Sequence, residues 1–199
     1  MDTNSIGIDK QMAIIKVKEI LKKDIVILDT ETTGLGNDDE IVEISIIDKN
    51  ENILLDTLVK PTISISYDAY KIHGINDLDV IHAPRYPEIH KKIIDIVKDK
   101  TVVIYNASYD FRILEQTSLI YNLENPLKHA KDIFCAMKNY SVIYGEWNVY
   151  YNDYKWCNLS KAAHYEDVDL EDIELHRALA DTITTLRLIK KVNENYNDL

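Results

Sequence analysis

The sequence predicts an α/β protein built on a sheet of mixed strand direction with helices on its faces. Three apolar strand candidates follow one another through short polar links, as in an antiparallel meander. A fourth appears only after helical patterns, so a crossover can lay it parallel to the first. At 199 residues, 46% of them hydrophobic, the chain suits one domain with a substantial core.

Taken in order, Asp9 to Lys23 places Met12, Ile15, Val17, Ile20 and Leu21 at helical spacing, with lysines filling the other face. This helix is expected to form an appended element, residues 1–23, packed on a domain of residues 24–199. Strands are expected over Asp24 to Asp29, Glu40 to Asp48 and Asn52 to Val59, the last two joined by the turn-like Lys49-Asn50-Glu51-Asn52. Pro61 ends the third. Ser66 can cap a short helix from Tyr67 to about His73, closed by Gly74. Pro87 suits the first turn of a helix that runs through Ile89, Ile93, Ile94 and Val97. Thr101 to Tyr105 is the fourth strand, and Ser108 is expected to cap a helix carrying Phe111, Leu114, Leu119 and Ile120. Further helices are expected from Asp132 to Tyr144, near Asn158, and from Leu175 to Val192.

Composition limits the functional classes. A formal net charge of −11 is the wrong sign for gripping nucleic acid over a broad surface by counterion release. A nucleic-acid ligand would have to meet a small site where bound cations reverse the local field. Two cysteines, Cys135 and Cys157, form no disulfide framework and suggest structural thiols in a reduced compartment. The early apolar run from Met12 to Ile15 is too short for a secretory core or a membrane span. A soluble, cytoplasmic protein without membrane association is expected.

The chemistry concentrates in three acidic clusters. Asp29-Thr30-Glu31-Thr32-Thr33-Gly34 follows the apolar run Ile25 to Leu28, so Asp29 and Glu31 point to one side if the strand continues through them. Asn106-Ala107-Ser108-Tyr109-Asp110 lies where the fourth strand gives way to a helix, the usual place for sites in α/β sheets. His176-Arg177-Ala178-Leu179-Ala180-Asp181 is the third. Five residues span about 140° round a helix, so His176 and Asp181 share a site only if His176 lies at or before the helix start. Four converging carboxylates cannot all ionise unaided, and divalent cations remove that conflict. All-oxygen ligands suit Mg²⁺ or Mn²⁺. Two such ions can activate water and stabilise the leaving oxygen of a phosphodiester, with a neutral-pKa histidine beside them as general base.

These DTETTG, NASYD and HRALAD segments resemble the three motifs of the DEDDh (DnaQ-like) 3′–5′ exonucleases. The resemblance runs from about Asp24 to Val192 and includes Ile41-Val42-Glu43-Ile44 and His73-Gly74-Ile75. It implies the ribonuclease H-like fold, with strand order 3-2-1-4-5 and a short fifth strand around Lys128 to Lys131. It implies Asp29, Glu31, Asp110 and Asp181 as ligands of two divalent ions, Mg²⁺ or Mn²⁺, and His176 as general base. A tyrosine branch of the family carries Tyr four residues before the last Asp; Arg177 stands there, so the histidine branch applies.

The implied reaction is hydrolysis of the 3′-terminal phosphodiester, releasing 5′-mononucleotides, with DNA 3′ ends favoured over RNA and a DNA polymerase as an admissible partner. The rivals are an exoribonuclease of the same fold and a non-catalytic nucleic-acid-binding module. By resemblance, Thr32, Thr33 and Leu35 contact the terminal nucleotide, or else form the turn. Asn106 bonds the substrate or its own turn, and Glu43 resembles an acid near the nucleotide pocket. His73 reads as a capping residue rather than a ligand. The aromatic stretch Tyr140 to Trp156, with a turn at Asn152-Asp153, reads as a hairpin or loop packed over the helices, or a dimer contact, in preference to a platform that stacks single-stranded bases. Oligomeric state is open.

Overall fold

The computed structural model describes residues 3–171 and 177–197. Its central sheet has five strands in the order β3-β2-β1-β4-β5. They are β1 (Ile25–Thr32), β2 (Ile41–Asp48), β3 (Ile53–Leu58), β4 (Thr101–Ile104) and β5 (Asp132–Cys135). The first three pair antiparallel, whereas β4 runs parallel to β1 and β5 parallel to β4.

The helices are α1 (Thr3–Leu21), α2 (Tyr67–His73), α3 (Tyr86–Val97), α4 (Ala107–Ile120), α5 (Ala136–Tyr144), α6 (Leu159–Tyr165) and α7 (Ala178–Asn195). Local chemistry explains several ends. Ser66 Oγ accepts from Ala69 N at 3.2 Å, and Gly74 closes α2 in the left-handed region at φ 73°. Asn158 Oδ1 accepts from Lys161 N at 2.8 Å to start α6. Asp48 takes the N–H groups of Asn50 and Asn52, forming the turn between β2 and β3.

Strand β1 is buried on both faces, and its alternation divides the core. Ile25 and Ile27 join the cluster formed with α1, α5 and α7, which includes Val17, Tyr140, Leu186 and Ile189. Val26 and Leu28 join the opposite cluster with α3 and α4, which includes Tyr86, Ile93, Ile113 and Leu114.

The structure moves several expected features. Helix α1 starts at Thr3, and its buried stripe is Ala13, Ile14, Val17 and Ile20, with Met12 and Ile15 exposed. That stripe packs in one cluster with Met137, Tyr140, Leu186 and Ile189 of α5 and α7. The fifth strand lies at Asp132–Cys135, not around Lys128 to Lys131, and α5 therefore begins at Ala136 rather than Asp132. Pro126–His129 form a 3₁₀ turn instead. A four-residue apolar run does not distinguish a strand from a first helical turn; pairing with β4 decides it. Helix α4 has Asn106 at its N-cap position, and the Ser108 hydroxyl donates to Asn106 Oδ1 at 3.1 Å instead of capping. Leu119 and Ile120 on that helix are exposed, while Ile113, Leu114, Thr117 and Ser118 are buried. The last helix begins at Ala178, three residues later than expected, and continues to Asn195.

The aromatic stretch begins in α5 with Tyr140 and Tyr144 and then folds as a hairpin of β6 (Trp147–Asn148) and β7 (Asp153–Tyr154), with Asn152 left-handed at φ 51° in its turn. Tyr140 and Tyr154 are buried, Tyr154 donating to Asp9 of α1 at 2.9 Å, while Tyr150, Tyr151 and Trp156 are exposed. Among the described residues, no helix is long and apolar enough to cross a membrane.

Candidate active site

The alternation that splits the core also distributes the acids. Asp29 and Glu31 share the parity of Ile25 and Ile27, so they project from β1 toward the face covered by α7. Strand β1 continues to Thr32, past the expected end at Asp29, which holds both carboxylates in regular geometry. Asp181 lies in the first turn of α7, over that same face. Asp29, Glu31 and Asp181 each offer a carboxylate oxygen, and these oxygens lie within 4.8 Å of one another.

Asp110 arrives from the other face. It sits in the first turn of α4, beyond the end of β4, where the helix dipole favours a negative charge. Thr30, of opposite parity to Asp29, donates its hydroxyl to Asp110 Oδ1 at 2.9 Å. Asp110 thus stands beside the three-carboxylate group rather than within it, close enough that its field raises the pKa of Asp29. Thr30 is a support that the motif pattern alone did not single out, although its alternation with Asp29 was visible.

Like charges packed this way resist ionisation. Burial first, then the fields of Asp110, Asp181, Glu31 and Glu43, hold Asp29 well above the ordinary carboxylate range. Burial and then the charges of Asp181, Glu43 and Asp110 raise Glu31 from 4.5 to about 8, with Arg177 acting in the opposite sense. Burial raises Asp110 as well, against the Thr30 hydrogen bond that favours its charged form. A set of oxygen donors whose charges oppose one another fits a divalent cation, which would favour the ionised state of every member.

Glu43 is bonded by groups from the start of α7. It pairs with Glu31 across the strands, and its carboxylate is bound by the Arg177 guanidinium and by the Ala178 N–H. Thr33 is fully buried and also serves the turn: its hydroxyl donates to Asp39 Oδ1 at 2.6 Å and accepts from Glu40 N at 3.0 Å. A Cβ at Gly34 would lie 2.7 Å from Asp39 Oδ2, so a larger residue there would displace the carboxylate that bonds Thr33 and Gly36. Asn106 is bonded within its own turn by Ser108.

Thr32 and Leu35 border a cleft of about 430 Å³ that also includes Glu31, Ile72, His73 and Tyr109. Leu35 is 76% exposed at its rim. From α4, Arg112 donates to Gly36 O at 2.8 Å, Gln116 to Asp39 O at 3.0 Å, and the Tyr109 hydroxyl to Gly34 O at 3.2 Å. Tyr109 lies inside the NASYD segment without having been singled out there, whereas Arg112, Gln116 and Asp39 fall outside every motif; all four hold the loop by hydrogen bonds. His73 is buried: Nδ1 accepts from Ile75 N at 3.0 Å, so Nε2 carries the proton and donates to Thr32 O at 3.1 Å. Burial lowers its pKa, keeping it a neutral strut between α2 and the end of β1. His176 lies outside the described residues.

A mixed sheet that brings acids from three distant segments to the carboxyl ends of two parallel strands defines a carboxylate-centred phosphodiesterase architecture. The Exonuclease family model, RNase_T, matches residues 26–189. An uncharacterized exonuclease of Escherichia phage 186 is 42% identical over 178 residues, covering 87% of this chain and 90% of its own. The DNA polymerase III subunit epsilon of Buchnera aphidicola subsp. Schizaphis graminum is 32% identical over 136 residues, 58% of either protein. Among solved structures, exonuclease X in complex with 5′-overhanging duplex DNA shares the fold at a TM-score of 0.64 and 24% identity, covering 87% of this chain and 93% of its own. The chain belongs to the exonuclease family. Within it, this is a 3′–5′ exonuclease of the DEDDh, DnaQ-like class.

Proposed function

We propose that the chain hydrolyses the 3′-terminal phosphodiester of DNA at the carboxylate cluster and releases 5′-mononucleotides. The observation that carries this reading is the meeting of Asp29, Glu31 and Asp181 oxygens within 4.8 Å, with Asp110 buried alongside. In this reading Asp29, Glu31, Asp110 and Asp181 hold two divalent ions, Mg²⁺ or Mn²⁺. When bound, such a pair supplies an activated water and a counter-charge for the leaving oxygen.

The chain's own residues do the rest. The cleft of about 430 Å³ beside Glu31 has the size of a small-molecule site, roughly 300–1,000 Å³, and receives the terminal nucleotide between Leu35 and Ile72. Thr32, with its hydroxyl held by Gly34 O and Tyr109, shapes the floor. His176, five residues before Asp181, takes the proton of the attacking water. With a net charge of −11, contact is confined to this cleft, where the cations reverse the field.

DNA is favoured because relatives and fold neighbours carry it in their names: the epsilon subunit belongs to a DNA polymerase, and exonuclease X is bound to duplex DNA. A DNA polymerase is accordingly the protein partner to test by co-purification. The deciding experiment digests end-labelled single-stranded, duplex and mismatched DNA beside matched RNA, with a free or a blocked 3′ end. Mononucleotide release from free DNA 3′ ends, lost in chelator and restored by Mg²⁺ or Mn²⁺, is expected. Activity at full chelation, or on RNA alone, overturns the assignment.

A further inference from the structure

We infer that Glu43 and Arg177 form a latch that positions Asp181 against Asp29 and Glu31, and so sets how tightly the centre holds divalent metal. The inference rests on the metal-centre reading above and extends it to two residues outside the three-carboxylate group.

Glu43 has a side chain only 4% exposed and occupies β2 directly across from Glu31. A buried carboxylate beside three others is costly unless it is fully bonded. Its bonding is complete and specific. Arg177 Nε lies 3.0 Å from both carboxylate oxygens, Arg177 Nη2 also donates to Oε1, and the Ala178 N–H donates to Oε2 at 3.0 Å. This fork suits arginine and not lysine.

The latch acts on the start of α7. Arg177 is in extended backbone at the N-cap position, and its own side chain does not cap the helix. The first N–H groups of a helix need partners, and Glu43 reaches from another element to satisfy that of Ala178. The Arg177 carbonyl then accepts from Asp181 N at 3.0 Å, closing the turn that carries the third acid. Helix ends fray, so a first turn bearing a metal ligand needs an external fastening. Arg177 fastens it through its side chain and begins the turn through its carbonyl. Glu43 lies on the strand that pairs with the one carrying Asp29 and Glu31, so the latch ties the third acid to the frame of the other two.

The test compares Arg177→Met, Arg177→Lys and Glu43→Gln with the parent and with Asp181→Ala. Mn²⁺ affinity is measured on substrate-free protein by calorimetry or electron paramagnetic resonance, alongside kcat, KM and circular dichroism. Arg177→Met is expected to weaken Mn²⁺ binding about 10- to 100-fold and to lower kcat by a similar factor, with KM for a single-stranded oligonucleotide little changed. Arg177→Lys restores the charge without the fork and recovers only part of the loss. Glu43→Gln keeps an acceptor for Ala178 and is also expected to weaken binding, so it carries the comparison if Arg177→Met fails to fold. Parent-like Mn²⁺ affinity in folded Arg177→Met overturns the latch. A rise in KM alone overturns it too, marking Arg177 as a substrate contact. If Asp181→Ala is inactive while the latch variants behave as the parent, only the latch fails; an active Asp181→Ala sinks the metal-centre reading itself.

Discussion

Where β1, β4 and β5 begin, Lys23 meets Asp132 at 3.5 Å and Lys100 meets Asp24 at 3.7 Å, opposite charges paired at the surface. Where β1 and β4 finish, Asp29, Glu31, Asp110 and Asp181 gather, like charges crowded together, with burial raising the first three. The same strands therefore carry a self-neutralising end and a self-opposing end. Nothing in folding requires the second arrangement, and burying it destabilises the metal-free chain. The site is found where the charges are placed against stability.

The sharpest way to break this contrast is to remove an acid from the opposed end. Asp29→Ala or Asp181→Ala should lower hydrolysis by at least about 10³-fold, while the chelated protein melts no lower than the parent. Activity assays and thermal melts in chelator check both halves. Next comes Thr30→Val, which deletes the hydroxyl donor to Asp110 and should cost roughly 10- to 100-fold in activity, read at saturating metal.

A pH series sharpens the same contrast. Glu31 titrates at about 8 in the folded protein against 4.5 in the ordinary state, so between those values the folded chain holds more protons than the unfolded one. Stability from this group is fully present below 4.5 and is lost as pH rises through 8. The raised pKa values of Asp29 and Asp110 act in the same direction. The chelated protein should melt several degrees lower at pH 8 than at pH 5.5, and Mn²⁺ should raise the melting temperature more at pH 8, where it displaces fewer protons. Calorimetric scans with and without metal at both pH values measure this. The smallest effect belongs to the paired end. Lys23→Ala should shift the melting temperature by no more than about 4 °C and leave activity unchanged, since such surface pairs contribute about 0.2–1 kcal/mol.

Local chemistry was readable where it acts locally. Ser66 and Gly74 bound α2 as their types demand, Asn158 starts α6, and the polar cluster at Lys49 to Asn52 turns the chain. Features set by a distant partner were less so. Ile133-Phe134-Cys135 becomes a strand because β4 offers it an edge, and the face of α1 that packs against α5 and α7 carries Ala13 and Ile14 rather than Met12 and Ile15. The bonds that Glu43 makes were not readable either, since its partners at Arg177 and Ala178 lie more than a hundred residues away.

By itself the sequence determined the acids, their spacing and the sheet that could carry them, because strand period and capping preference are properties of neighbouring residues. Tertiary structure alone decided that Asp110 stands apart from the other three, bonded to Thr30 on the opposite face. It also decided that Asp181 depends on a helix end tied to β2 by Glu43. Such relations are distances between segments, and distances between segments exist only once the chain has packed.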